Sequence, residues 1–148
     1  MLPDAKDMNY WKTSRSSPST WIQRAKQEIE GVGGKVLAEA FGREEDSGRA
    51  AYMLGFELDG ERFKVVWPVL PSNDDESAAR RQAATMLYHD VKQRCISSRV
   101  LGARQAFFSY LLLPDGMSVS DLSLPEIASR VPRYFRSQML PDGRGGEA

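Results

Sequence analysis

The sequence predicts an α+β domain: a three-stranded antiparallel β-meander packed on one long helix, a β-β-β-α core with additional N- and C-terminal helices. Three observations carry that prediction. "FELDGERFKVVWP" reads as two strands joined by Asp59–Gly60, a pair suited to a type I′ turn because glycine accepts its positive φ. "SNDDESAARRQAATMLYHDVKQRC" follows, with N-cap candidates, acidic first-turn residues that complement the helix dipole, and apolar residues at helical spacing. The 148 residues, 41% hydrophobic and 27% charged, suit one domain with its own core.

Residues 1–18 are polar, with Pro3, Pro18 and the patch "SRSSPS", and read as a mobile arm with Tyr10 and Trp11 as a docking point. The domain proper is expected over residues 19–140, and residues 141–148, "PDGRGGEA", as a flexible tail. Thr20 and Gln23 fit a capping box, Trp21, Ile22, Ala25 and Ile29 recur at helical spacing, and glycines follow, so a first helix is expected over residues 20–30. Three strands are expected over residues 35–42, 48–59 and 61–69, the last being richest in β-branched and aromatic residues. Pro68 lacks an N–H and belongs near a strand end.

On the long helix, Ala79, Ala83, Met86, Leu87 and Val91 share an apolar arc, with Arg81, Thr85, His89 and Lys92 on the other side. A further helix is expected over residues 103–112, ending at the turn Pro114–Asp115–Gly116, and a short one over residues 124–129.

Catalytic patterns are thin. His89 is the only histidine and Cys95 the only cysteine, and six residues apart on one helix they face different ways. That pair excludes an ordinary structural zinc site, and a lone thiol excludes an intramolecular disulfide, in keeping with a reducing compartment. The acidic runs Glu44–Glu45–Asp46 and Asp74–Asp75–Glu76 would suit a magnesium-dependent nuclease, but both fall where a loop or helix start is acidic for solubility and dipole reasons. "GVGG" follows a helix, whereas a phosphate-binding glycine turn follows a strand. The expectation is no enzyme, no cofactor and no metal. No apolar run is long enough for a signal peptide or a membrane span, so the cytoplasm is expected.

Charge placement is more informative. Lys plus Arg and Asp plus Glu number 20 each, so any polyanion site must come from uneven distribution. Residues 76–104 hold Arg80, Arg81, Lys92, Arg94, Arg99 and Arg104 against Glu76 and Asp90. On the hairpin, Arg62 and Lys64 alternate with Phe63 and Val65 and so share one sheet face. A groove between that face and the basic helix would follow a phosphate backbone, and these eight cations are the expected DNA contacts.

Three segments sharpen this reading: the hairpin "GRAAYMLGFELDGERFKVVWP" (residues 48–68), the basic helix "RRQAATMLYHDVK" (80–92) and "FFSYLLLPDGMSV" (107–119). Together they resemble a family of small phage and prophage proteins. The order helix, meander, long helix is similar to the core of single-strand annealing proteins of the Rad recombination-mediator type. The resemblance implies a homo-oligomer, a ring or helical filament, that grips single-stranded DNA by its backbone and leaves the bases exposed for pairing. It places Arg62 and Lys64 as hairpin contacts and Arg80, Arg81 and Lys92 as helix contacts, in the cytoplasm of a bacterial host. The alternative is a non-enzymatic phage interaction protein, an inhibitor or assembly accessory, using the same surface on a protein partner.

Overall fold

The computed structural model describes residues 1–43 and 47–121. Helix α1 (Pro18–Gly31) leads into strands β1 (Lys35–Arg43), β2 (Ala50–Leu58) and β3 (Glu61–Pro68), then the long helix α2 (Glu76–Leu101) and a single turn, α3 (Ala103–Ala106). The sheet order is β1-β2-β3, antiparallel throughout. The predicted meander on a long helix is the fold observed.

Alternation decides which sheet face is buried. Ala50, Tyr52, Leu54, Phe56 and Leu58 of β2 point inward, paired across the ladder with residues that include Phe63 and Val65 of β3. Ile22, Ala25 and Ile29 of α1 and Leu87, Val91 and Cys95 of α2 join them in one core. Asp59 and Gly60 take φ of +54° and +78°, both left-handed, as the tight turn between β2 and β3 demands. Gly34 sits where the chain leaves α1 for β1, and a Cβ there would lie 2.6 Å from Ile29 Cγ2.

Several expectations needed correction. The first helix begins at Pro18, not Thr20: Ser17 is the N-cap, its Oγ accepting from the Thr20 N–H at 3.3 Å, and Pro18 takes the first helical turn, where its missing N–H costs nothing. The helix expected over residues 103–112 stops after Ala106, passes through a 3₁₀ turn (Phe108–Tyr110), and turns extended. There Leu111 bridges Phe63 and the Leu112 N–H donates to Arg62 O at 2.8 Å. Pairing with the free edge of β3, and burial of Phe107, outweighs local helical preference. Thr85, expected on a polar side, is buried, its Oγ1 donating to Arg81 O at 2.6 Å. The short helix over residues 124–129 and the tail over 141–148 fall outside the described residues.

The segment read as a mobile arm lies against α2 instead. Ala5 is fully buried, and its N–H donates to Pro71 O at 2.9 Å. Gln82, buried on α2, donates from Nε2 to Ala5 O at 2.8 Å and Asn9 O at 2.9 Å. Tyr10 and Lys12 then take φ of +68° and +57°, a backbone region that costs a non-glycine residue about 1 kcal/mol or more.

Candidate nucleic-acid interface

The expected trough does not form, because the sheet separates its two halves. Phe63 and Val65 face α1 and α2, so their neighbours Arg62 and Lys64 face away, across the outer sheet surface beside Glu57 and Gly55. Three of the remaining cations are held by carboxylates. Arg94 Nε donates to Asp90 Oδ2 at 2.9 Å, and its Nη1 donates to Ala106 O at 3.0 Å. Arg104 Nε forks onto both Glu61 carboxylate oxygens at 2.9 Å. Arg80 lies 3.7 Å from Glu76 with its guanidinium over Phe41. The hydrogen bond from Arg43 holds the Glu76 carboxyl below its ordinary value, Arg43 and Arg80 adding their charge. Arg99 donates to Gly31 O at 3.3 Å and closes the end of α1.

Arg81 and Lys92 behave differently. Both lie on the face of α2 that also presents Tyr88 and His89. Among the described residues Arg81 donates to Ser77 Oγ, at 2.9 Å, and Lys92 Nζ lies 5.9 Å from the Tyr88 ring centre. Helix α1 packs alongside and adds Trp21, whose ring lies 5.2 Å from Tyr88 and 5.9 Å from His89. One turn along α1, the Arg24 guanidinium sits 4.7 Å over Trp21. The arm completes the cluster: Tyr10 stacks on His89 at 4.9 Å with only 10° between ring planes. Ser14 Oγ accepts from Trp21 Nε1 at 2.8 Å and fixes the indole.

Four aromatic rings from three segments thus meet on one surface, flanked by Arg24 and Lys92. Neither cation has a carboxylate within 4.0 Å among the described residues. Stacked rings with free cations beside them can hold an unpaired base and its phosphate at once, which neither a duplex surface nor a charged patch alone provides. Of the residues on this surface, the sequence reading named Lys92 and Arg81 as contacts, but missed Trp21, Arg24 and the Tyr10–His89 stack. The missed residues come from two other segments, and only the helix-on-helix packing brings them to α2.

Elsewhere the described residues offer little chemistry. Burial first, then the charge of Glu28, pushes the Cys95 thiol up to about 12, so it is no thiolate nucleophile at neutral pH. Among the described residues no three His, Cys, Asp or Glu side chains group as metal ligands. No described helix is long and apolar enough to cross a membrane. No family model, curated protein or solved structure matches this chain.

Proposed function

We propose that this chain binds single-stranded DNA on the aromatic face of α1 and α2, and that it promotes annealing of complementary strands in phage or mobile-element recombination, in the cytoplasm of a bacterial host. The observation that carries the proposal is the Tyr10–Trp21–Tyr88–His89 cluster with Arg24 and Lys92 beside it, neither within 4.0 Å of a carboxylate among the described residues. Base stacking on aromatic rings is worth roughly 1–3 kcal/mol per base and tolerates any sequence, as an annealing protein requires. Phosphate contacts from Arg24, Lys92 and Arg81 neutralise the strand, and duplex formation itself supplies the driving force, so no catalytic group is needed.

The homo-oligomer implied by the family resemblance belongs to this reading. Strand β1 supports it: nine residues long, it is paired on one edge only among the described residues, and Leu37 and Phe41 are exposed on it. An edge of that kind accepts a strand from a second copy. The same edge favours a second reading, in which the chain is a non-enzymatic inhibitor or assembly accessory and the added strand belongs to another protein.

The test is charge reversal on each face. Arg24→Glu with Lys92→Glu is expected to weaken oligonucleotide binding at least tenfold, to slow the pairing of complementary strands, and to reduce the salt slope by about 1.4, two single-strand phosphate contacts' worth. Arg62→Glu with Lys64→Glu is expected to leave all three unchanged. The reverse pattern would move the site to the outer sheet face, and a wild-type protein without effect on pairing would favour the accessory reading.

A further inference from the structure

We propose that the face of His89 covered by Tyr10 is a nucleobase seat, and that Tyr10 is its intramolecular occupant, displaced when a strand binds. This deepens, and rests on, the single-strand reading above. Every other ring contact in the cluster is oblique: Trp21 meets Tyr88 at 48° and His89 at 44°, and Tyr88 meets His89 edge-on at 68°. Tyr10 alone lies flat, 10° from parallel at 4.9 Å, the geometry a stacked base adopts. The seat therefore has a flat floor in His89, side walls in Trp21 and Tyr88, and cations at its rim in Arg24 and Lys92.

The chain around Tyr10 is built to let go. Gln82 anchors the arm as far as Asn9, and Trp21 holds Ser14. Between those anchors, Tyr10 and Lys12 both sit in the left-handed region, Lys12 with its Nζ 3.8 Å from Asp75 Oδ2. When the Tyr10 ring leaves, Tyr10 returns to ordinary backbone angles while the arm stays attached on either side. Exchange of ring for base costs little apolar contact, because one flat π-face replaces another, and the phosphate beside the incoming base gains Arg24 and Lys92. The ligand class is a single-stranded oligonucleotide, read by stacking and charge without sequence preference. Occupancy by Tyr10 lowers the affinity for isolated bases and nucleotides, since each must first displace the ring.

The decisive measurement is the affinity of an end-labelled oligothymidylate of about ten nucleotides, by fluorescence anisotropy, for the wild type, Tyr10→Phe, Tyr10→Ala and His89→Ala. Thermal melts establish that each variant is folded. Tyr10→Phe keeps a flat ring and should bind as the wild type does. Tyr10→Ala empties the seat and should bind about fivefold tighter. His89→Ala removes the floor and should bind at least about fivefold weaker, with no such loss for an oligonucleotide abasic throughout. Equal or weaker binding by Tyr10→Ala overturns the inference while strand binding itself stands. If Tyr10→Ala does not fold, the exposed His89→Ala decides alone, and unchanged affinity there overturns it. Failure of the wild type to bind any oligonucleotide sinks the single-strand reading and this inference together.

Discussion

Cys95 and Tyr110 show how burial turns two ordinary side chains into alkaline sensors. Burial raises both, the thiol from 9.0 and the phenol from 10.0, each pushed up to about 12. For Tyr110 the next cause is Asp90, whose carboxylate accepts the phenolic hydrogen at 3.2 Å. In the unfolded chain both groups ionise at their ordinary values, whereas the folded chain resists, so unfolding releases protons once the pH exceeds about 9. The stability from keeping both groups neutral is thus complete at neutral pH and declines as pH rises from about 9 toward 12. Melting temperatures across that range should fall, and Cys95 should resist iodoacetamide at pH 8 until denaturant is added. Rapid alkylation of the native protein would contradict its burial. At this scale Asp59–Gly60 was legible, because a two-residue turn between strands is local chemistry. Gln82 was not: a glutamine on a helix reads as solvent-facing, and only the arm's carbonyls explain its burial.

At the scale of elements, α1 shows how near a local rule can come and still miss by a turn. Thr20 with Gln23 matches a capping pattern, but Ser17 takes the role and Pro18 occupies the first helical position. Replacing Ser17 by Ala removes the acceptor for the Thr20 N–H and should cost about 1 kcal/mol of stability in a urea titration, whereas Thr20→Ala should cost less. Equal losses would mean that the helix starts at either residue. Strand β1, expected over residues 35–42, does pair, with a register shift between Val36 and Ala38, and among the described residues it is an edge of the sheet. The segment after α2 was misread for a different reason. Phe56, Phe63 and Phe107 lie within 5.0–5.6 Å of one another, and placing Phe107 in that cluster requires the chain to leave the helix after Ala106. A core contact from another element set that end.

For the whole molecule, charge balance hides an uneven surface. Carboxylates neutralise Arg80, Arg94 and Arg104 in place, whereas Arg24 and Lys92 lie beside aromatic rings with no carboxylate within 4.0 Å among the described residues. With no net charge to steer a strand from afar, binding should be weak in the monomer and gain from linked copies along one oligonucleotide. Mass in solution should therefore rise when a long oligonucleotide is added. Substituting Phe41 with Glu on the open edge should hold the protein monomeric and reduce cooperativity. A mass unaffected by oligonucleotide and by that substitution would remove self-association from the proposal.

Periodicity and turn chemistry, which act within a few residues, were enough to determine the meander, the long helix and their order. They also told which side of β3 is apolar. Which cations meet was decided by tertiary structure alone, because alternation along β3 turns Arg62 and Lys64 away from the helices once Phe63 enters the core. The arm's docking and the cluster of Tyr10, Trp21, Tyr88 and His89 depend on contacts between residues far apart in the chain. No local pattern carries information about such contacts.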